Sequence, residues 1–193
     1  LYEPWAKKVE ADSKDRIKID MYPLMQLGGR PPQLIDQVRD GVVEVTHTIA
    51  GYTPGRFPKL EVFELPFVVT TTTPTNFAMT EFAGKYMQDE LADYKIVLLH
   101  MHPGDVFHSR KPIRTMDDFK GLKMRVSSIP MGQFVEAMGG SSVGAPVTAV
   151  PEMLSKGVID GCLTNFEISQ ALKFNQMATY HTRFADRKQP RAT

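Results

Sequence analysis

Arg125 is the residue whose type and surroundings most directly suggest chemistry. It stands among the apolar residues Leu122, Met124 and Val126, just before a predicted loop. A buried guanidinium without a partner costs several kcal/mol, and its planar fork matches a carboxylate through two hydrogen bonds. Either an acidic ligand or an Asp or Glu of the protein itself meets that requirement, and the sequence leaves both partners open.

The histidines and the single cysteine are candidates for metal or nucleophile chemistry. His100 and His102 lie two residues apart on a predicted strand, so both would project from one face, as paired metal ligands do. No third ligand follows from the spacing, and we favour two ordinary histidines near a strand end. Cys162 has no base beside it in sequence, which favours a small buried apolar residue. We therefore expect neither a metal site nor a cofactor.

Acidic pairs and glycine-rich turns indicate no catalytic site. Asp117 and Asp118 suit the first turn of a helix, where negative charge is favoured. Glu61 and Glu64 flank apolar residues and suggest packing with a solvated edge. The Gly28-Gly29 pair lacks dinucleotide-binding spacing, and the sequence contains no G-K-[ST] motif. We therefore expect no enzymatic activity.

Composition excludes further classes. The 193 residues are 42% hydrophobic and 23% charged, which is ordinary for a globular protein. Because 23 Lys and Arg face 22 Asp and Glu, no basic surplus exists for a nucleic-acid partner. The longest apolar run, 96–99, is too short to cross a bilayer. The chain shows no basic-then-apolar leader, and we expect a signal peptide that has been removed.

Hydrophobic periodicity predicts alternating strands and helices. Strands are expected at 16–22, 42–49, 95–102, 106–110 and 122–126, and helices at 5–13, 33–39, 74–92, 130–138 and 151–155. Gly41 stands where a helix C-cap is expected, and Thr115 begins a short capped helix.

One pattern occurs twice along the chain. Residues 35–44 and 152–160 each contain a helix, a capping glycine, two apolar strand residues and an acid, and each follows an alternating strand. Two such units favour two lobes, residues 1–103 and 104–193, over one continuous sheet. Small ligands bind in clefts between domains, at the carboxyl ends of parallel strands. The sequence thus predicts a two-lobed α/β fold with a ligand cleft.

Five stretches together resemble a known family. They are residues 25–29, 34–44, 57–67, 111–126 and 157–161. In this order they resemble the substrate-binding subunits of tripartite ATP-independent periplasmic (TRAP) transporters of the DctP-like type, over the chain to about Thr182. The resemblance implies a bilobal, periplasmic-binding-protein-like fold that closes on its ligand. Against the family pattern we expect the first strand, the return to the first lobe and the hinge helix to be missing here.

The resemblance also implies binding residues in the second lobe. The arginine of the family's G-L-K-x-R-V segment grips the ligand carboxylate, and this position is Arg125. The segment after the V-D-G motif lines the pocket and contains Thr164, Asn165 and Phe166. Many relatives carry an asparagine where Thr164 stands, so the contact falls to Thr164 or to Asn165.

In the first lobe the resemblance implies that Tyr52 faces the cleft with its ring and hydroxyl. Ordinary packing under the loop is an equal alternative for Tyr52, and Phe67 is a weaker candidate that also suits the core. Asp105 stands where some sialic-acid-binding relatives carry a second arginine, so sialic acid is disfavoured.

The function that the resemblance implies is capture of a small organic acid and its delivery to membrane permease subunits from the periplasm. We expect a monomer that uses no cofactor. Two alternatives stay open: a metal-dependent enzyme with His100 and His102 in the same cleft, and a ligand-binding sensor domain.

Overall fold

A computed structural model describes residues 2–69, 71–102, 104–185 and 189–192. Within these residues, helices pack around one mixed sheet, so the predicted α/β class is confirmed. Positions 1, 103 and 193, which bound the two predicted lobes, lie outside the described residues, and the division itself stays a prediction. No helix of the described part is both long and apolar enough to span a membrane.

The predicted helices are confirmed, with shifted ends. The α-helices are α1 (Glu3–Asp12), α2 (Leu34–Arg39), α3 (Thr72–Tyr86), α4 (Ile129–Ala137), α5 (Val150–Ser155) and α6 (Phe166–Ala171). Short 3₁₀ helices are Pro31–Gln33, Ala50–Tyr52, Leu60–Glu64, Met116–Phe119, Val147–Ala149 and Phe174–Gln176. Helix α3 ends before residue 92, where the Gln88 side chain donates to the Gly84 carbonyl and satisfies a terminal acceptor.

The sheet lies in the second half of the chain. Its strands are β1 (Val106–Ser109), β2 (Lys123–Val126), β3 (Ser141–Gly144), β4 (Gly161–Thr164), β5 (Tyr180–Ala185) and β6 (Gln189–Ala192), in the order β3-β2-β4-β1-β5-β6. Strand β2 pairs in parallel with β3 and β4, and β1 pairs antiparallel with β4 and β5. The carboxyl ends of β2, β3 and β4 therefore meet at one edge of the sheet.

Three predicted strands are wrong: 16–22, 42–49 and 95–102 form no ladder among the described residues. Apolar side chains in them stay exposed, including Ile17 (52%), Val45 (58%) and Val97 (71%). An alternating pattern makes a strand only where a neighbour completes its hydrogen bonds, and no described neighbour does so here. The strand predicted after Gly157 forms later, as β4, because pairing with β2 and β1 sets its position.

Two apolar clusters cover the two faces of the sheet. On one face Phe107, Met124 and Leu163 pack with Val135 of α4. On the other, Cys162 packs with residues of α5 and of the Phe174–Gln176 turn. Side chains alternate along a strand, so Arg125, between two core residues of β2, projects to the same face as Cys162, its partner in register.

Candidate ligand-binding site

Arg125 is held in a fixed orientation near the carboxyl edge of the sheet. Its side chain is almost fully buried, with 1% exposed. Its Nε donates to the Ala145 carbonyl at 2.6 Å, and its Nη1 donates to the Leu163 carbonyl at 3.4 Å and lies 3.9 Å from the Cys162 sulfur. These bonds join the arginine to the chain after β3 and to β4, so the guanidinium plane is set before any ligand arrives.

The third guanidinium nitrogen, Nη2, is buried and has no hydrogen-bond partner among the described residues. No described carboxylate lies within ion-pair distance of Arg125. Its established acceptors are neutral carbonyls, which leave the positive charge without a contacting counter-charge. The internal ion pair that the sequence left open is therefore not formed in the described part of the molecule.

Thr164 and Asn165 stand beside Arg125, where the neighbouring parallel strand β4 ends. Both are buried. Asn165 is the N-cap of α6: its Oδ1 accepts from the Ile168 backbone N–H at 2.8 Å. The oxygen is therefore engaged, and the amide nitrogen is the group of Asn165 that can donate to a ligand.

Phe166 packs against two histidines. Its ring meets His108 and His181 edge-on, with centroids 5.3 and 5.2 Å apart, and the two histidine Nδ1 atoms are 2.8 Å apart. Burial, with the neighbouring His181, lowers the pKa of His108 to about 4, and burial also lowers the pKa of His181. Because both rings are then neutral near pH 7, they form an aromatic wall rather than a cationic one.

Tyr52 links the first half of the chain to the sheet. Its hydroxyl accepts from the Val147 backbone N–H at 3.1 Å, two residues beyond the carbonyl that Arg125 holds. The preceding residue, Gly51, approaches Ser128 so closely that a Cβ added to Gly51 would lie 2.6 Å from the Ser128 Cβ. Tyr52 is thus placed at the carboxyl edge of the sheet.

Phe67 lies on the other face of the sheet from Arg125, where α4 packs. Half of its side chain is exposed, and its ring packs edge-on against Phe134 of α4 with centroids 6.0 Å apart. No ring contact joins it to Phe166 within the described residues. The structure therefore brings Phe67 to the second half of the chain but not to the histidine wall.

The sequence did not favour His100 and His102 as paired metal ligands, and the strand on which that alternative depended is absent from the described residues 95–102. His100 instead stacks on His47, with centroids 5.3 Å apart, and His102 Nδ1 lies 3.7 Å from Asp105 Oδ1. In the part of the chain that the structure describes, no group of three or more His, Cys, Asp or Glu side chains is arranged to hold a metal ion.

Two buried carboxylates also lie at this edge. Oδ1 of Asp105 and Oε2 of Glu64 are buried and lack hydrogen-bond partners among the described residues. Burial raises the pKa of Asp105, while His102 and then Arg125 oppose the rise. Burial likewise raises the pKa of Glu64; a side-chain hydrogen bond with Ser128 opposes that rise, and the charges of Glu61 and then Asp105 add to it. The solvated edge predicted for Glu64 is therefore wrong for this oxygen.

A cavity of about 530 Å³ opens between the two halves of the chain. Tyr52 lines it from the first half, and Ser128, Gln133 and Ala145 line it from the second. Arg125 is not among its lining residues, so the cavity adjoins the arginine through Ala145 and does not enclose it.

Comparison with known protein families finds one that matches nearly the whole chain. A family described as bacterial extracellular solute-binding protein, family 7 (DctP) matches residues 1–185. This chain belongs to the DctP family.

Solved structures of TRAP solute-binding proteins share the fold of this DctP-family chain. One, from an unidentified marine microbe, is described as specific for aromatic acids and holds metahydroxyphenylacetate; it is 42% identical, with a TM-score of 0.93 over 99% of this chain and 60% of its own. Another, from Rhodoferax ferrireducens, holds copurified benzoate. It is 41% identical, with a TM-score of 0.93, and the match covers 96% of this chain and 58% of its own. A third, from Bordetella bronchiseptica, is named periplasmic and holds mandelate. It is 30% identical, with a TM-score of 0.79, and the match covers 91% of this chain and 56% of its own.

This DctP-family chain spans about half the length of the curated relatives it matches, 54% and 48% of the first two. Sequence reasoning did not place the carboxylates of Asp105 and Glu64 at this edge of the sheet. The sequence places Asp105 immediately before a predicted strand, and this was the signal that could have found it. Only the register of that strand with β4 shows that Asp105 lies opposite Thr164 and Asn165. No sequence signal identifies the His108–His181 pair, because strand pairing alone brings residues 73 positions apart together.

Proposed function

We propose that this DctP-family protein is the solute-binding subunit of a TRAP transporter and holds a small organic acid through Arg125. The observation that carries the proposal is the buried Nη2 of Arg125, which lacks a partner among the described residues. A ligand carboxylate supplies both the acceptor and the contacting negative charge that the described residues do not provide. Charge-assisted hydrogen bonds of this kind are stronger than neutral ones, the more so in a buried site.

The surroundings of Arg125 favour recognition over catalysis. Two carbonyl acceptors hold the guanidinium in place, so little side-chain entropy is lost when a ligand binds. The amide nitrogen of Asn165 and the hydroxyl of Thr164 stand at the end of the next strand as further donors. Members of the DctP family are solute-binding proteins, and no described arrangement here favours the metal-dependent enzyme.

Ligand-stabilised closure is the proposed mechanism. The Tyr52–Val147 hydrogen bond joins the first half of the chain to the segment that Arg125 also contacts. A ligand held between these elements shifts the protein toward the closed form by as much as it prefers that form. Tyr52 then acts as a clasp, and the carboxylate on Arg125 as the anchor.

An aromatic acid is the ligand class that we propose. Three related structures hold metahydroxyphenylacetate, benzoate and mandelate, all of them aromatic acids. The half-exposed ring of Phe166, backed by two neutral histidines, offers an aromatic surface close to the donors of Asn165. Aromatic rings pack favourably against such surfaces in edge-on or offset geometry.

The location and partner are proposed with the function. The family is described as extracellular, and the Bordetella relative is named periplasmic, which supports a periplasmic protein. Delivery of the acid to TRAP membrane permease subunits follows from the same role, with the protein acting as a monomer. A sensor domain would use the same site, and uptake of labelled benzoate by vesicles carrying the permease would separate transport from sensing.

Calorimetric titration with benzoate, mandelate and D-glucuronate tests the arginine anchor. We expect Arg125→Ala to weaken binding about 30- to 1,000-fold, because a buried charge-assisted pair is lost. Arg125→Lys keeps the charge without the fork and should lose part of that affinity. The matched control is the exposed Arg114, whose Arg114→Ala variant should bind normally. Unchanged affinity in a folded Arg125→Ala variant contradicts the proposal.

A further inference from the structure

Asp105 presents a buried acceptor oxygen to which no described residue donates a hydrogen bond. Its side chain is 10% exposed, its Oδ1 is buried, and none of the described residues donates to that oxygen. The neighbouring His102 Nδ1 lies 3.7 Å away, beyond hydrogen-bond distance. Asp105 directly precedes β1, whose Val106 pairs in register with Thr164, so it lies at the edge of the sheet where the proposed site is.

Glu64 brings a second such oxygen from the first half of the chain. It ends the 3₁₀ helix Leu60–Glu64, and its Oε2 is also buried without a partner among the described residues. A Cβ on Gly51 would lie 3.2 Å from Glu64 Oε1 and 2.6 Å from the Ser128 Cβ, so the carboxylate reaches the end of β2. Glu64 beside Ser128 and Asp105 just before β1 both lie where the first half of the chain meets the carboxyl edge of the sheet, here called the junction.

Among the described residues the junction therefore contains two donors without a hydrogen-bond partner, Nη2 of Arg125 and the hydroxyl of Ser128, and two such acceptors, Oδ1 of Asp105 and Oε2 of Glu64. The Ser128 hydroxyl lies beside Glu64 and can donate to it. A ligand carboxylate on Arg125 still leaves the Asp105 acceptor unpaired, which is costly in a buried site. An O–H group on the same molecule satisfies an acceptor without adding charge. A second cation beside Arg125 would add a further desolvation cost, so a neutral donor fits better.

We propose, on the basis of the function above, that the preferred ligand is a hydroxylated acid whose hydroxyl donates to Asp105 while its carboxylate rests on Arg125. Asp105 is then the residue that distinguishes a hydroxylated acid from its unsubstituted parent. Glu64 approaches the same junction from the first half of the chain, beside Ser128. A site built to bond a hydroxyl discriminates strongly against an analogue that lacks it, because its buried acceptor is left unpaired.

The test compares benzoate with 2-, 3- and 4-hydroxybenzoate by calorimetry. We expect the wild-type chain to bind at least one hydroxy isomer about tenfold or more tighter than benzoate, as for a hydrogen bond to a charged group. In Asp105→Ala that ratio should fall toward one, while benzoate affinity does not fall, because a nearby negative charge has been removed. Asp105→Asn keeps the shape and a weaker acceptor, and should show an intermediate ratio.

The ratio between two acids within one variant cancels effects on folding and closure. Asp117, whose side chain is 82% exposed, supplies the matched control: Asp117→Ala should leave the ratio unchanged. A wild-type chain without preference for any hydroxy isomer overturns the inference, as does an unchanged ratio in Asp105→Ala; in both cases the anchor at Arg125 stands. If the wild-type chain binds none of these four acids and neither mandelate nor D-glucuronate, the proposed function fails, and this inference fails with it.

Discussion

The two copies of the helix–glycine–strand pattern share their local structure up to the glycine and differ in the segment after it. Gly41 and Gly157 have φ angles of +73° and +67°, and each closes the end of a helix. The hydrogen bonds match position by position: Gly41 N to Val38 O and Val42 N to Gln37 O in the first copy, Gly157 N to Leu154 O and Val158 N to Met153 O in the second. Local sequence is sufficient for this cap.

After the glycine the copies diverge. In the second, the Asp160 N–H donates to the Lys123 carbonyl, Ile159 is fully buried, and β4 forms between β2 and β1. In the first, Val42 and Val45 remain exposed, and no described strand pairs with residues 42–49. The difference shows that a strand is a property of the sheet and that the helix cap is a property of its own few residues.

The largest expected difference is in the stability cost of shortening the apolar side chain two residues after each capping glycine. Ile159→Ala should destabilise the chain by about 2–5 kcal/mol, because it opens a cavity in a buried cluster. Val43→Ala, at the matching and only partly buried position, should cost less than about 1 kcal/mol. Urea unfolding followed by far-UV circular dichroism measures both. Equal losses in the two variants contradict the comparison.

A second test uses the histidine pair of each region. Burial holds the folded pKa of His108 at about 4, below the unfolded value of about 6.5. Between these values the unfolded chain binds the extra proton, so stability should fall as pH drops from 6.5 toward 4, by roughly 2 kcal/mol. His108→Gln should remove this part of the pH dependence.

The control for that test is His47, which stacks on His100 in the first region. Burial and then the charge of His100 lower the pKa of His47, so its contribution has the same sign. Because the ring is partly exposed, His47→Gln should flatten the profile less than His108→Gln does. Urea unfolding at pH 7 and pH 5 measures how much the stability of each variant depends on pH. A larger change in His47→Gln than in His108→Gln contradicts the view that burial in the sheet causes this pH dependence.

The smallest effect concerns the two capping glycines. Gly41→Ala and Gly157→Ala each force a side chain into the left-handed region, at a cost of about 1 kcal/mol. Space is not the cause, since the added Cβ has no neighbour within 4 Å at Gly41 and one atom at 4.0 Å at Gly157. Gly157→Ala should lower global stability, and Gly41→Ala should affect mainly local hydrogen exchange in α2. A global loss of equal size in both variants contradicts this distinction.

The candidate site was partly predictable from sequence. An arginine within an apolar strand indicates a buried charge in need of a partner, and Arg125 is buried in β2 as this implies. The sequence could not choose between an internal and an external partner, because that depends on which acids lie near it in space. Asp105 was predicted only as an argument against one ligand, and Glu64 as a packed residue with a solvated edge.

By itself the sequence determined the helices, their glycine caps and the position of a costly charge, because each depends on residues within one or two turns of chain. The tertiary structure decided which apolar runs became strands, brought His108 and His181 together, and left Nη2 of Arg125 without an internal partner among the described residues. These outcomes depend on groups far apart in sequence. Hydrogen-bond ladders and burial require neighbours in space, and spacing along one segment does not specify those neighbours.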